Sequence, residues 1–381
     1  MASLRTDSPV PGRPLRRRFP LWPALVLALG VAAILAPRTA QAQTPQPPPG
    51  DQACLSCHGN PDLSMVLPNG DKLSLYISLD ALNQSVHTPL GISCQSCHPT
   101  LTGYPHPAVS YGSARELSRA FYETCQKCHS ANYDQTVDTL HNIHAQIAAG
   151  GDLKTAICTD CHGDHDIRKI ADDRVRISQT CGKCHTDIFT QYQSSVHGVA
   201  LIQQNNHDVP VCTDCHGVHS IPDPRLAQFR TASPEMCAGC HANAQLMSKY
   251  GLTADVYSLY SLSWHGVDIS VYKANWPTIW HDSAVCTDCH GVHNILKASD
   301  PASTVNSANL LATCQKCHPT AGPNWTGTWT GHNRISLART PFIFYTQAFY
   351  DVFIRLVLIA CLVYVGLQIL RATVARVRRS L

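Results

Sequence analysis

Residues 212–221 of the chain read Cys-Thr-Asp-Cys-His-Gly-Val-His-Ser-Ile. The same form, C-x-x-C-H-G-x-H-x-I, returns at residues 158–167 and 286–295. Its core, two cysteines three residues apart and then a histidine, occurs nine times between Cys54 and His318. With 19 cysteines and 21 histidines in 381 residues, chance would supply roughly 0.05 copies. The nine copies are therefore not accidental, and the motif is the main sequence feature of the chain.

The nine C-x-x-C-H motifs use 18 of the 19 cysteines. Their cysteines are Cys54, Cys57, Cys94, Cys97, Cys125, Cys128, Cys158, Cys161, Cys181, Cys184, Cys212, Cys215, Cys237, Cys240, Cys286, Cys289, Cys314 and Cys317. Their histidines are His58, His98, His129, His162, His185, His216, His241, His290 and His318.

The spacing within each motif suits covalent attachment of a haem. Two thiols three residues apart reach the two vinyl groups of one porphyrin, and the adjacent histidine then becomes the proximal iron ligand. A zinc ribbon needs no histidine after every second cysteine, and a thioredoxin-like redox pair would occur once, on a βαβ pattern that is absent. The sequence predicts nine haem c groups, each with its iron.

The motifs recur in modules that consist of a Ser-x-His or equivalent segment and then two C-x-x-C-H motifs. Four modules follow one lone motif at Cys54, and we number them 1 to 4. Their first motifs begin at Cys94, Cys158, Cys212 and Cys286. Between residues 52 and 319 the chain has little helical or strand periodicity, which predicts short helices around the motifs and extensive irregular loops.

Twelve histidines remain as candidates for the sixth, distal position of nine irons. Four close the Ser-x-His or equivalent segments, namely His87, His144, His197 and His265. Three lie three residues beyond a proximal histidine, too near to reach the far face of their own haem, and we assign each to a neighbouring haem: His165, His219 and His293. His106 is the matching residue of module 1, and His332 closes the array. His141, His207 and His281 are left over, and any single candidate could instead be a surface or core histidine.

The two ends of the chain predict export and a membrane anchor. Residues 1–42 carry a basic region, an apolar run and a small-x-small site, typical of a signal peptide; the alternative is an uncleaved anchor. Residues 43–51 form a Pro/Gln linker, and residues 52–340 form the nine-haem domain. Residues 341–351 are an interfacial aromatic segment, 352–370 a transmembrane helix and 371–381 a basic tail. The tail is expected in the cytoplasm and the haem domain on the periplasmic, extracytoplasmic side; the alternative is a buried helix of a soluble protein.

The charge of the chain is divided unevenly. Ten of the 29 basic side chains lie in residues 1–42 and 371–381, with one acid. Residues 43–370 hold 19 basic and 25 acidic side chains, a formal charge of −6. An acidic domain disfavours nucleic acid and favours a basic docking partner.

With these motifs the chain resembles multihaem c-type cytochromes, especially the bis-histidine class III type and its tetrahaem-to-octahaem relatives. The resemblance covers residues 52 to about 332. It implies a mainly α fold with extensive irregular loops, in which closely packed haems replace the hydrophobic core and pass electrons along a chain. Here a C-terminal helix replaces the N-terminal helix of the quinol-oxidising tetrahaem relatives.

The chain has enough histidines to provide a distal ligand for every iron. This favours an electron-transfer protein of respiratory or extracellular electron transport. Bis-histidine ligation predicts low reduction potentials. Redox partner proteins are expected, among them a membrane cytochrome b or another quinol-linked subunit. The alternative is a multihaem oxidoreductase with one open-coordination haem, which acts on a small nitrogen or sulfur compound. A structural or sensory haem protein would not need nine haems.

Overall fold

A computed structural model describes residue 48 and residues 50–107, 110–169, 173–326, 331–332 and 334–380. The described chain is mainly helical with long connecting loops, which confirms the predicted secondary-structure class. The predicted signal peptide lies outside the described residues, as does most of the predicted linker. The first described helix begins at Asp51, the last residue of that linker.

The N-terminal part of the haem domain contains a small hairpin that the sequence analysis did not predict. Strands β1 (Ser64–Val66) and β2 (Lys72–Ser74) pair antiparallel, and Asn69-Gly70 lies between them, with Gly70 at φ +91°. An Asn-Gly pair between strands is the usual signal of a tight turn. The helices of this part are α1 (Asp51–His58), α2 (Leu79–Gln84), α3 (Cys94–Cys97), α4 (Ala114–Tyr122) and α5 (Gln126–Val137), with 3₁₀ turns at Thr88–Leu90 and Glu123–Cys125.

Modules 2 to 4 repeat a pattern of short helices. Module 2 contains α6 (Ile143–Ala149), α7 (Cys158–His162), α8 (Arg174–Gly182) and α9 (Thr186–Ser194). Module 3 contains α10 (Val196–Ile202), α11 (Cys212–His216), α12 (Ala227–His241), α13 (Ala244–Ser248) and α14 (Val256–Ser261). Module 4 contains α15 (Trp264–Asn275), α16 (Cys286–His290) and α17 (Leu310–Gln315).

The side-chain core is small for a chain of this length. One cluster of buried apolar residues forms around Leu201, Tyr192 and Val211, and it joins helices α9 and α10 to the start of α11. The Tyr192 hydroxyl donates a hydrogen bond to the Pro210 carbonyl at 2.8 Å. This cluster joins the end of module 2 to the start of module 3 and does not extend over the other described modules.

Helix α18 (Pro341–Ser380) is continuous through the predicted interfacial segment, membrane span and basic tail. Its 40 residues would extend about 60 Å. In the described part of the chain it is the one helix long and apolar enough to cross a membrane, and none of its apolar window is buried. These features are consistent with a single-pass anchor.

Candidate metal centres

Three of the motifs lie on short helices that run from the first cysteine to the histidine, α7, α11 and α16. In α11 the Asp214 carboxylate accepts the Val211 N–H at 2.7 Å, which caps the helix. Asp160 and Asp288 accept the equivalent N–H groups in α7 and α16. Residues i, i+3 and i+4 share one face of a helix. Both thiols and the histidine of each motif therefore project to the same side, as one haem requires.

The glycine after the histidine ends each of these three helices. Gly217 has φ +79° and ψ −178°, and Gly163 and Gly291 adopt nearly the same conformation. This region of backbone space is open essentially to glycine alone. The glycine in C-H-G-x-H-x-I thus permits the turn that separates the two histidines of the segment.

Every motif histidine has one histidine from outside the motifs as a ring neighbour, with ring centres 6.0–6.2 Å apart. In chain order of the motifs, the pairs are His58–His106, His98–His165, His129–His87, His162–His219, His185–His144, His216–His293, His241–His197, His290–His332 and His318–His265. The nine partners are the nine histidines that the sequence analysis singled out for distal positions.

This separation fits a metal ion held between two imidazoles. A first-row metal binds an imidazole nitrogen at about 2 Å, and that nitrogen lies about 1 Å from the ring centre, so rings on opposite sides of one metal have centres about 6 Å apart. No cluster of three or more His, Cys, Asp or Glu side chains in the described residues could hold a metal ion. A metal in such a pair must bring its remaining ligands with it. Porphyrin-bound iron does so, whereas protein-bound zinc takes three or four side chains.

The pairs follow one rule along the chain. A Ser-x-His histidine pairs with the second motif of its own module, as His197 does with His241. A C-H-G-x-H histidine pairs with the first motif of the preceding module, as His219 does with His162. His332, which follows the last module, takes this second role for His290. Each module therefore completes a site in the module before it.

A backbone hydrogen bond holds the two kinds of segment together. The Val196 N–H, next to His197, donates to the Ile295 carbonyl at 2.8 Å. Val86 and Ile143 donate in the same way, also at 2.8 Å, to the isoleucines at the ends of the segments 158–167 and 212–221. The final isoleucine of C-H-G-x-H-x-I thus marks the contact between consecutive modules.

The serine and glycine around His197 have structural roles that the sequence analysis did not identify. Ser195 caps α10, since its hydroxyl accepts the Gly198 N–H at 3.1 Å and donates to the Tyr192 carbonyl at 2.6 Å. A Cβ on Gly198 would lie 1.9 Å from the Tyr192 oxygen. Ser263 and Gly266 repeat both features around His265. The Ser-x-His-Gly segment thus fixes the start of the helix that carries the distal histidine.

Three arginines link consecutive motifs from helices that lead up to or into the second motif of a module. Arg230 Nη2 donates to Asp288 at 2.6 Å and to the Ser283 carbonyl at 2.9 Å, and Nη1 donates to the His281 carbonyl at 2.6 Å. Arg115 and Arg174 make the matching pairs with Asp160 and Asp214. These pairs were not predicted from the sequence. The signal was present, because Arg174 and Arg230 each stand seven residues before a motif.

The thiols of consecutive motifs are neighbours. The first cysteines of successive motifs interact in the pairs Cys54–Cys94, Cys125–Cys158, Cys181–Cys212 and Cys237–Cys286. The second cysteine of each module's first motif interacts with cysteines of the module's second motif, as Cys97, Cys161, Cys215 and Cys289 do. Each motif thus lies next to the following one, so the sites run in sequence order.

Burial favours the neutral imidazoles that metal binding requires. Desolvation, with a smaller contribution from His241, lowers the pKa of His197 to about 4. Burial also lowers the pKa of His144 and His290. At the lone motif, His58 Nδ1 lies 2.7 Å from the Leu75 carbonyl, which leaves its Nε2 free to bind a metal.

The three leftover histidines have other contacts. His141 Nδ1 lies 2.7 Å from Asp138, and His207 Nε2 lies 3.1 Å from the Asn205 side-chain oxygen. His281 stacks on Tyr272 with ring centres 3.5 Å apart, and its Nε2 lies 2.6 Å from an Asp268 oxygen. These three histidines therefore have local polar partners in place of a motif histidine.

Comparison with known proteins agrees with the chemistry of these sites. Residues 154–242 match the family model of cytochrome c3. Comparison with curated proteins gave no match, and comparison with solved structures gave none. The matched region contains four C-x-x-C-H motifs, and the match supports a multihaem c-type cytochrome with covalently bound haem c.

Proposed function

We propose that the chain is a membrane-anchored cytochrome with nine haem c groups that transfers electrons in respiratory or extracellular electron transport. The observation that carries this proposal is the set of nine histidine pairs with a nearly constant separation of 6.0–6.2 Å. In each site two cysteines would attach the haem, and the motif histidine and its ring partner would hold the iron. Haem c, when bound, supplies one-electron redox chemistry.

The pairs favour electron transfer over the enzymatic alternative. A haem that transforms a small molecule needs an open axial position, whereas here each motif histidine has an imidazole partner at a separation that suits a shared metal. The chain's own side chains thus exclude substrate and solvent from all nine positions. His106 and His332, which lack the sequence context of the other distal candidates, belong to pairs of the same geometry.

The neighbouring thiols support a linear relay in sequence order. The relay begins at the lone motif of Cys54 and ends at the motif of Cys314. His332 completes the eighth site only nine residues before the start of α18 at Pro341. We therefore place the last two sites nearest the membrane, on the extracytoplasmic side, with the basic tail in the cytoplasm. A quinol-linked membrane subunit such as a cytochrome b fits this end, and a basic redox protein fits the acidic remainder.

The decisive experiment combines haem stoichiometry with carbon monoxide binding. Purified protein is expected to carry nine haems by pyridine haemochrome assay and intact mass, and to bind no carbon monoxide when reduced. His197→Ala is expected to keep nine haems, because attachment uses only the motif, and to bind one carbon monoxide. Six or fewer haems, or stoichiometric carbon monoxide binding by the unaltered protein, would contradict the proposal; the latter would favour the oxidoreductase.

A further inference from the structure

Among the described residues, none covers one apolar helix face of the last module. In helix α15, Trp264 is 90% exposed, and Val267 and Val271 are 45% and 49% exposed. At 3.6 residues per turn these three side chains fall within an arc of about 60°. Leu262, just before the helix, is 80% exposed. We call these four residues the α15 stripe.

A haem at His265 would not cover the α15 stripe. His265 follows Trp264 by one residue, and the buried positions Gly266 and Ile269 share its side of the helix. The stripe lies on the opposite side. The charged residues Asp268 and Lys273 lie outside the stripe and are paired with His281 and Glu235. Helix geometry places the exposed residues Asp268 and Asn275 beside Trp264, so the apolar stripe is narrow and has polar neighbours along one edge.

The earlier modules show what normally binds the backbone at the position of Trp264. Val86, Ile143 and Val196, the equivalents of Trp264, each donate their N–H to an isoleucine carbonyl of the next module. Module 4 has no following module, and the described part of the chain offers Trp264 no such acceptor. A second copy could not supply one, because all three C-H-G-x-H-x-I segments of the chain are already used. The repeating interface thus ends at Trp264, and the residue there is a tryptophan instead of Val or Ile.

The segment that leads to helix α18 is short, so a membrane spanned by α18 lies near the α15 stripe. Arg334 forms two hydrogen bonds of 2.7 Å with Asp255, the residue before α14, and α14 packs against α15. From Arg334 the chain reaches Pro341 in seven residues, a span of at most about 25 Å. Five of the six tryptophans lie between residues 264 and 329. Tryptophan concentrates at membrane–water interfaces because one part of its ring is apolar and another polar.

We propose that the α15 stripe rests in the interfacial layer of the membrane that anchors the protein. The inference rests on the membrane anchorage in the proposed function and adds an orientation: helix α15 turns its stripe toward the lipid and carries His265 of the ninth site on its opposite side. The contact is weak by itself and forms because α18 holds the stripe at a high effective concentration near the lipid. The stripe has no basic rim, so zwitterionic lipid is sufficient.

The test uses photocrosslinking of the full-length protein in phosphatidylcholine vesicles. Trp264→p-benzoylphenylalanine is expected to form a lipid adduct on irradiation, detected by peptide mass. Leu140, also 80% exposed but in module 2, is the matched control, and the same substitution there should form no lipid adduct. Val271 serves as a second stripe position if the Trp264 variant loads haem poorly. Leu358 in α18, 57% exposed, reports on the anchor.

The outcomes separate this inference from the proposed anchorage. Lipid adducts at positions 264 and 358 but not at 140 support the inference. An adduct at 358 with none at either stripe position overturns the inference and leaves the anchor intact. A crosslink from 264 to a second copy or another protein, without lipid, also overturns it and identifies a protein interface. No lipid adduct at 358 would refute the anchorage and the inference together.

Discussion

Gly198→Ala is the substitution for which the structure predicts the most specific effect on a single site. Gly198 follows the distal histidine His197, and its amide is capped by Ser195. A Cβ there would lie 1.9 Å from the Tyr192 oxygen and 2.6 Å from the Tyr192 carbonyl carbon. The colliding atoms belong to the backbone, so no side-chain rotation can relieve the clash.

The size of the required movement decides the outcome. Real Cβ contacts are essentially never shorter than 3.0 Å, so α10 and the Tyr192 carbonyl must separate by at least about 1 Å. Metal–ligand distances tolerate only about 0.2 Å, and overpacking of this kind typically costs about 1–3 kcal/mol. We expect His197 to leave the iron shared with His241, because withdrawal of one ligand relieves the clash without disturbing the covalent attachment.

The assay is carbon monoxide titration of the reduced protein, with haem content measured in parallel. Gly198→Ala should retain nine haems and bind one carbon monoxide per molecule. Gly322→Ala is the matched control, because a Cβ at Gly322 meets nothing within 4 Å; it should bind none. If Gly198→Ala binds no carbon monoxide and melts at the wild-type temperature, the assignment of His197 as a ligand held by this turn is wrong.

Three further predictions follow from the same contacts. Arg230→Lys keeps the charge but cannot reproduce the three hydrogen bonds to Asp288 and two carbonyls, so it should lower stability by about 1–3 kcal/mol in thermal melts. The control Arg225→Lys changes a side chain that is 80% exposed and should leave the melting temperature unchanged. Equal effects of the two substitutions would refute the linking role of Arg230. The two imidazole planes of a pair meet at 7–24° in five pairs and at 37–57° in four. Because axial ligands set the electronic structure of haem iron, electron paramagnetic resonance of the oxidised protein should separate five irons from four. A single uniform signal would contradict this division. A reporter active only in the cytoplasm should work when fused after Leu381, and truncation before Pro341 should release a soluble protein with all its haems; an inactive reporter would argue against the proposed topology.

The sequence was most informative where structure depends on neighbouring residues. Short helices around the C-x-x-C-H motifs were expected from the sequence, and the mainly helical class was expected from the resemblance to multihaem cytochromes. Composition alone identified the long apolar helix at the C-terminus. The β1–β2 hairpin was accessible too, because Asn69-Gly70 between short alternating runs is a recognised turn signal. The sequence did not show why residue 217 must be glycine; the φ and ψ angles of Gly217 in the structure did.

Pairing between distant segments was not accessible from one sequence. His219 and His293 looked alike, and nothing in their spacing said which earlier motif each would meet. The answer depends on contacts such as Val196 to Ile295, which join backbone groups about a hundred residues apart. The Arg230–Asp288 pair is likewise a long-range contact, 58 residues apart. Such contacts depend on how the modules are arranged in three dimensions, which the local structural propensities of the residues do not indicate.

The exchange of histidines between modules has a consequence for biogenesis. A chain exported N-terminus first exposes the first motif of module 2 before it exposes His219, the partner of that motif's histidine. Each such motif can receive its haem at once but must wait for the following module before its coordination is complete. On the proposed ligand assignments, we expect maturation to proceed directionally from the lone motif and to end when His332 reaches the eighth site. With the same arrangement, a whole module can be duplicated within the array without loss of any ligand. Each module supplies one histidine to the module before it and receives one from the module after it.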